Sequence, residues 1–240
     1  MITLYLTVVL GAAFAVPAFL LLKWTGGAWA EGAVDSRFLG FVWNSLLLSG
    51  LAATVAILLG TPLAYLATRR SSTLNVLFLQ AAYAGYVLPG PVGALAILVL
   101  FSHLAPFWYG TVVVLIVAYV VHFLPSGLQT MEPALQQVTP NLEEAARSLG
   151  DNTWLILKRV TLPLVQGGFL VAWILMFLQC MKELPATLLL RPVGFDTLAV
   201  RVWLEASEEY YQLAAPAALL IVAMTLPALL LLVAKDWRAA

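Results

Sequence analysis

Charged residues are scarce in this 240-residue sequence. Asp, Glu, Lys and Arg make up 10% of it, whereas 62% is hydrophobic, and the mean hydropathy is +0.96. Soluble domains carry about a quarter charged residues, and one soluble core of this length would not bury so much apolar surface. The 12 basic and 12 acidic residues cancel, which argues against nucleic acid as a partner. The composition therefore predicts a polytopic membrane protein that also contacts lipid.

The sequence has a single cysteine and no nucleotide-binding motif. Cys180 is the sole cysteine, which excludes an internal disulfide, and no Cys/His cluster has zinc-ligand spacing. The phosphate-binding pattern G-x-x-x-x-G-K-[ST] does not occur, nor does any Gly-Lys pair. We therefore expect no metal site, no cofactor and no catalytic residues, and any ATP would be bound by a partner. The first apolar run lacks a basic flank and a cleavage site, so we expect a retained helix.

Six apolar segments are long enough to cross a bilayer, which takes ~20 residues each. Their periodicity is helical, not alternating. We place them at residues 3–22, 44–67, 74–101, 111–130, 168–190 and 212–233. Pro89-Gly90-Pro91 interrupts the third, which predicts a kink that serves packing or borders a water-filled path. The expected fold is one all-α transmembrane domain over residues 1–240.

The loop charges predict an orientation. One side collects Arg69, Arg70, Arg147, Lys158, Arg159, Lys235 and Arg238. The basic residues of the other side are Lys23, Arg37, Arg191 and Arg201, diluted by Glu31, Asp35, Glu205, Glu208 and Glu209. The positive-inside rule places the first group, and both chain termini, in the cytoplasm.

The polar loop after the fourth span has the signals of a short helix. Thr139 offers an N-cap hydroxyl, and Pro140 suits the first helical position. Glu143 and Glu144 follow near the first turn, where the helix dipole favours acidic residues, and Gly150 is a typical left-handed stop.

One face of this short helix is apolar. It comprises Leu142, Ala145, Ala146 and Leu149. On a polar flank, Glu143 and Arg147 are four residues apart and are expected to pair. A stripe with small alanines fits a groove on another protein; the alternative is a helix that rests on lipid headgroups.

This loop resembles the coupling loop of ATP-binding-cassette (ABC) importer permeases. The shared pattern is Glu-Ala-Ala, three residues, Gly, nine residues, an aliphatic residue, any residue and Leu-Pro, here Glu144, Ala145, Ala146, Gly150, Val160, Leu162 and Pro163. Val160 stands where the family usually has isoleucine. The resemblance implies that residues 139–163, including Glu143, Arg147 and Leu149, dock on a separate ATPase subunit.

The same resemblance implies the assembly. Such importers place two membrane units on two ATPase subunits in a bacterial-type plasma membrane and receive substrate from an extracytoplasmic binding protein. We expect a second permease unit, either another copy, for which C2 symmetry is simplest, or a different chain. A stripe of small residues in the second span would let a neighbouring helix approach closely; it consists of Ala52, Ala56, Gly60 and Ala64.

Lys182 and Glu183 are charges at membrane depth. From Gly168, at the expected cytoplasmic edge, 14 residues rise ~21 Å at ~1.5 Å each, deep into a bilayer ~30 Å thick. Such charges usually face a bundle interior or an aqueous path. Two hypotheses stay open: a substrate pathway in which Glu183 is a hard oxygen ligand, or a structural ion pair.

Further motifs resemble the second half of ferric-iron importer permeases. They are YVLPGPV (86–92), HFLP (122–125), MKELPAT (181–187), LRP (190–192) and FDTLA (195–199). Many members have arginine where His122 stands. The resemblance implies ferric-iron import; permeases of the same type for molybdate or sulfate, polyamine, thiamine or phosphonate are alternatives, since related anion permeases also carry a carboxylate near Glu183.

Other classes fit the sequence less well. An ATPase-independent secondary transporter would want a relay of ionisable residues across several spans, yet beyond Lys182 and Glu183 the spans offer little except His122 and Glu132. No convergent catalytic set suggests an intramembrane enzyme, so we do not expect one.

Overall fold

The computed structural model describes residues 1–30, 34–69 and 72–239. Every regular element in these ranges is helical, which confirms the predicted all-α class. The α-helices are α1 (Ile2–Ala30), α2 (Ser36–Arg69), α3 (Thr73–Val87), α4 (Gly90–Leu104), α5 (Val112–Gln136), α6 (Pro140–Ser148), α7 (Thr153–Ile156), α8 (Leu162–Met181), α9 (Pro185–Leu190), α10 (Leu198–Ser207) and α11 (Tyr211–Ala239). A 3-10 turn (Pro106–Trp108) precedes α5, and a π-helical segment (Leu157–Thr161) joins α7 to α8.

Each of the six predicted spans overlaps at least one helix of the structure. Within the described ranges, four helical stretches are long and apolar enough to cross a membrane: Thr3–Ala30, Ser36–Arg69, Val112–Gln136 and Thr153–Met181. The pair α3 and α4 provides a fifth if the two helices count as one broken span. The predicted sixth span falls on α11, which is apolar over Tyr211–Pro227.

The predicted break in the third span is confirmed. Helix α3 ends at Val87, α4 begins at Gly90, and the two are bent by 114°. Leu88 is extended, with ψ at 132°, because the residue before a proline avoids helical backbone angles. The long third segment is therefore two helices.

The predicted span at 168–190 is wrong in its second half. Helix α8 ends at Met181, residues 182–184 are not helical, and α9 begins at Pro185. Proline has no N–H to donate to the carbonyl four residues earlier, here that of Met181, and its ring would clash there. Lys182 and Glu183 therefore lie in a helix break.

The chain divides into two compact units, and the second is Leu47–Val193. Its core is built by α2, α5 and α8 around the buried residues Ala64, Tyr65, Leu128, Met131, Leu135, Val138, Val165, Phe169 and Ala172. The stripe of small residues in α2 is buried here: a Cβ on Gly60 would lie 3.1 Å from Cδ1 of Leu124. Its close helical neighbour is α5 of the same chain, so the stripe gives no support to a second copy.

Two glycines let helices of this unit approach closely. A Cβ on Gly85 of α3 would lie 2.2 Å from the carbonyl oxygen of Val121, and a Cβ on Gly168 of α8 would lie 2.4 Å from Cβ of Ala134. Both distances are too short for any side chain. Helix α5 is therefore held against α3 and α8 at near backbone contact.

The other unit comprises Met1–Leu46 and Gly194–Ala240. Ser45 Oγ accepts a hydrogen bond from the Leu198 N–H (2.8 Å), and Asn44 Nδ2 donates to the Asp196 carbonyl (3.0 Å). These bonds hold the start of α10 against α2. Of the charges in the orientation argument, Glu31 and Arg70 lie outside the described residues, as do the side chains of Lys235 and Arg238.

Candidate functional site

The helix predicted from the loop pattern is α6. It begins at Pro140, as predicted, but the Thr139 side chain makes no capping hydrogen bond, so the predicted hydroxyl cap is wrong. The C-terminal end follows the prediction: Gly150 has φ +98°. The Asp151 N–H donates to the Ala146 carbonyl (3.2 Å) and the Gly150 N–H to the Arg147 carbonyl (3.0 Å), the paired bonds of a Schellman motif.

The predicted apolar stripe of α6 divides between two environments. Ala146 is buried against the chain, whereas Ala145 is exposed, Leu142 is 48% exposed and Leu149 is 89% exposed. Glu144 and Arg147 are also exposed. The helix therefore presents one apolar and charged face to its surroundings.

The predicted pairing of Glu143 with Arg147 is wrong. Glu143 is 5% exposed, and its Oε1 accepts hydrogen bonds from Arg69 Nε (3.0 Å) and from the Thr161 hydroxyl (2.9 Å). Its Oε2 accepts one from the Tyr65 hydroxyl (3.0 Å). The carboxylate points inward because Arg69 is a closer and less solvated cation there than Arg147 on the helix surface.

Arg69 extends this network to the end of α5. One guanidinium nitrogen, Nη2, donates to the carbonyls of Leu135 (3.2 Å) and Val138 (2.8 Å). Carbonyls at a helix C-terminus have no partners within the helix and carry its negative pole. A single cation therefore joins α2, α5 and α6.

The segment after Gly150 returns the chain to α8. Asn152 caps α7, accepting a hydrogen bond from the Leu155 N–H at 2.9 Å. Thr161 is fully buried in the π-helical segment. Of the two residues of the Leu-Pro pair, Leu162 packs on the core and Pro163 is exposed in the first turn of α8.

Two clefts flank these elements. One, about 560 Å³, borders α6 and is lined by Tyr65, Leu66, Arg69, Pro140, Glu143, Glu144, Arg147 and Thr153. The other, about 620 Å³, is lined mainly by polar residues and contains the helix break: Tyr86, Phe123, Ser126, Gln129, Thr130, Leu175, Gln179, Lys182 and Glu183. Thus the structure brings Lys182 and Glu183 to one polar cleft.

The Glu183 carboxylate is only partly used by the protein. Its Oε1 accepts a hydrogen bond from the Ala186 N–H (3.1 Å) at the start of α9, and its carbonyl accepts one from the Thr187 hydroxyl (2.7 Å). Lys182 is exposed, and no ion pair joins it to Glu183 in the part of the chain the structure describes. The predicted alternative of a structural Lys182–Glu183 pair therefore lacks its contact here.

The bend between α3 and α4 lies beside the same break. The position of a Cβ on Gly90 is 3.8 Å from Glu183 Oε1 and 3.9 Å from His122 Nε2. His122 is partly buried. The motifs around residues 90, 122 and 183 thus meet in one place, although they are far apart in the chain.

Sequence reasoning missed several residues of these sites. Tyr65, Arg69 and Thr161 bind Glu143, and Gln179 donates to Ser126 Oγ (3.1 Å) in the polar cleft. From the sequence, Arg69 was predicted only to be one of the basic loop residues on the cytoplasmic side. The available signal was the polarity of Ser126, Gln129 and Gln179 inside spans, where polar residues usually face a path or a partner.

Comparisons with known proteins identify a family by sequence and a similar fold among solved structures. Residues 56–237 match the profile of the family described as "Binding-protein-dependent transport system inner membrane component". The fold resembles the crystal structure of a bacterial ABC transporter involved in the import of the acidic polysaccharide alginate, with a TM-score of 0.74 over 98% of this chain and 94% of that one at 15% identity.

Two curated relatives are similar in sequence. The Fe(3+)-transport system permease protein FbpB 2 of Haemophilus influenzae is 36% identical over 209 residues, which cover 86% of this chain and 41% of the relative. A probable molybdenum ABC transporter permease protein of Haloferax volcanii is 33% identical over 199 residues, covering 78% of this chain and 72% of the relative. The chain thus spans about two fifths of the ferric relative and most of the molybdenum one. With the matched profile, these similarities show that the chain belongs to the family of binding-protein-dependent transport system inner membrane components.

Proposed function

We propose that this chain is the permease subunit of an ATP-driven importer that carries ferric iron across the plasma membrane. The proposal is supported by the exposure of one face of α6, a short helix that ends at Gly150. Leu142, Ala145 and Leu149 are exposed to the surroundings, whereas Glu143 on the other face forms a buried ion pair. A membrane protein gains nothing in stability from an apolar side chain left in water. The exposed face therefore suits a partner, and residues 139–163 are the coupling loop.

The partner is an ABC ATPase. Two ATPase copies would receive two coupling loops, one from this chain and one from a second permease unit, while an extracytoplasmic binding protein delivers the substrate. The proposal treats residues 1–240 as one permease domain with both termini in the cytoplasm. The second unit is a copy of this chain or a different one.

The substrate pathway runs through the polar cleft at the helix break. Glu183 keeps an oxygen available for a hard cation, and the exposed Lys182 attracts an accompanying anion. Hydroxyl and amide groups of Ser126, Gln129 and Gln179 provide further oxygen contacts. Transport proceeds by alternating access: ATP binding closes the ATPase dimer, the coupling helices move, and the cleft opens outward to accept the ion.

Ferric iron is favoured over other solutes by the relatives. The ferric relative has the higher identity of the two reported, 36% against 33%. Molybdate is the second candidate because the chain covers most of the length of its molybdenum relative, and an oxyanion would use Lys182 in place of Glu183.

Reconstituted transport tests the function. The permease is placed in proteoliposomes with its ATPase and binding protein, and uptake of radiolabelled ferric iron and of molybdate is measured with and without ATP. We expect ATP-dependent iron uptake, and native mass measurement should find two permease chains per two ATPase chains. Iron uptake that needs no ATPase would refute the proposal. Uptake of molybdate without uptake of iron would show that the substrate is molybdate.

A surface substitution tests the docking face. Leu149→Ser should reduce co-purification of the ATPase while leaving the yield of folded permease unchanged, because the side chain is exposed. Val193→Ser is the matched control, since Val193 is also an exposed aliphatic residue but lies outside the coupling loop. Equal ATPase recovery in both variants would remove Leu149 from the interface.

A further inference from the structure

We propose that Glu143 is a positioning residue that connects α6, the coupling helix, to the membrane helices. It is distinct from the exposed residues of α6 that contact the ATPase. The inference rests on the proposed function, because it assigns the internal half of the same coupling device. Glu143 precedes the Glu-Ala-Ala triplet. The sequence predicted a surface pairing with Arg147, and the resemblance implied that Glu143 itself docks on the ATPase, but the side chain is buried.

The carboxylate of Glu143 has no free oxygen for an outside ligand. Both oxygens accept hydrogen bonds from the protein, Oε2 from Tyr65 and Oε1 from Arg69 and Thr161, at 2.9–3.0 Å. Tyr65 and Thr161 are buried as well. A buried carboxylate with every partner in place resists displacement, since removing any donor leaves an uncompensated polar group.

Arg69 carries this connection into α5. While its Nε binds Glu143, its Nη2 holds the carbonyls of Leu135 and Val138 at the cytoplasmic end of that helix. A shift of α6 therefore cannot leave α2 and the end of α5 behind without breaking an ion pair that is almost wholly removed from water. We call Glu143, Arg69, Tyr65 and Thr161 the carboxylate clamp.

Helix α5 leads from the carboxylate clamp to the polar cleft. Ser126 of the cleft lies nine residues before Leu135, or ~14 Å along a helix. Further along, the Tyr119 hydroxyl donates to the Glu183 carbonyl at 3.3 Å. Between clamp and cleft, Pro133 removes one helical hydrogen bond and gives α5 a defined place to bend. One helix therefore contacts both sites.

A purely structural role predicts a different phenotype from a coupling role. If the clamp only stabilises the fold, its loss lowers the yield of folded permease, but each folded chain still binds the ATPase and couples hydrolysis to transport. If it transmits motion, the ATPase still binds the exposed face of α6 and still hydrolyses ATP, but hydrolysis no longer drives the pathway. The ratio of transport to hydrolysis separates the two roles.

The experiment compares Glu143→Gln, Arg69→Gln and the double variant in proteoliposomes containing the ATPase and the binding protein. Each is scored for ATPase recovery, stimulation of ATP hydrolysis by the binding protein, and ferric iron transported per ATP. Glu205→Gln is the matched control, because it breaks the 2.7 Å Arg201–Glu205 pair on α10, outside the clamp.

The clamp predicts normal ATPase recovery per folded permease chain, loss of binding-protein stimulation, and transport per ATP lowered by about tenfold, within the range of measured coupling energies. Transport per ATP in the double variant should be no lower than in either single variant, because both substitutions break the same ion pair. Unchanged transport per ATP, additive defects, or a lower ATPase recovery per folded permease chain would each overturn the inference. A wild-type chain that recruits no ATPase would overturn the proposed function and the inference with it, whereas a coupled wild type with equally coupled variants overturns the inference alone.

Discussion

Glu143 and Glu183 are both carboxylates within Leu47–Val193, but their surroundings differ. Glu143 is 5% exposed, pairs with Arg69 and accepts two further hydrogen bonds from hydroxyl groups. Glu183 is partly exposed to a polar cleft, and its carboxylate accepts a hydrogen bond from the backbone N–H of Ala186. One carboxylate is saturated by the protein, and the other still has an oxygen to offer.

The difference shows that burial and ion pairing decide which role each of these two carboxylates can have. A buried charge is tolerated only with its partners in place, so Glu143 can hold elements together but cannot receive a ligand. A carboxylate at an open helix break contributes less to the fold, and we propose that Glu183 uses its remaining oxygen to coordinate a passing ion. Stability and transport measurements on matched variants test this division.

Arg69→Met should give the largest loss of stability. Methionine fills much of the same volume but leaves Glu143 buried without its cation, and removing one partner of a buried pair costs about 3–5 kcal/mol. The free energy of unfolding in detergent, measured by denaturant titration, checks this value. Arg159→Met is the control, because Arg159 is 65% exposed and its pair with Asp151 spans 3.5 Å; equal losses in the two variants would contradict the comparison.

Tyr65→Phe should give the next largest loss. It removes the hydroxyl that donates to Glu143 Oε2 and keeps the ring, and a hydrogen bond to a charged group contributes about 1.5–3 kcal/mol. The same unfolding titration measures the change. Tyr5→Phe, at a side chain 67% exposed, should leave the unfolding free energy unchanged, and a Tyr65→Phe protein as stable as this control would show that the hydroxyl contributes nothing.

Glu183→Gln should lower the unfolding free energy by less than about 1 kcal/mol, because the amide oxygen still accepts the Ala186 N–H. Iron uptake should nevertheless be abolished, since the neutral amide is a poor ligand for a hard cation, while the ATPase still co-purifies. Uptake in proteoliposomes and unfolding in detergent are measured on one preparation. Persistent uptake with a marked loss of stability would make Glu183 structural, like Glu143.

Lys182→Met should have the smallest effect on stability. The side chain is exposed, and no ion pair holds it among the described residues, so the unfolding titration should match that of the wild type. Uptake should fall if Lys182 attracts the accompanying anion. A stability loss comparable to that of Arg69→Met would show that Lys182 serves a structural ion pair after all.

Local signals were enough to predict α6 and the bend before α4. Pro140 and Gly150 act through their own backbone angles, and Pro89 acts on the residue just before it, so neighbours in sequence decide these features. The same rule applied to Pro185 would have shortened the predicted span at 168–190. That signal was present in the sequence, and the length of the apolar run concealed it.

Signals from sequence neighbours could not predict the hydrogen-bond partners of Glu143. Arg69 is 74 residues away in sequence and Tyr65 is 78, so their proximity depends on how α2 packs against α5. Arg147, at the correct helical spacing, was the better local candidate. Tertiary packing prevailed because a buried ion pair with added hydrogen bonds has less competition from water than an exposed pair, which contributes little.

The non-helical residues 182–184 have a consequence for how such permeases diverge. Side chains inside a packed helix are restricted by neighbours on several faces, so exchanging them disturbs the fold. Residues in a short connection that faces a cleft meet fewer such restrictions. Under the proposed pathway, substitutions at this connection would alter the transported solute without changing the helix that docks on the ATPase.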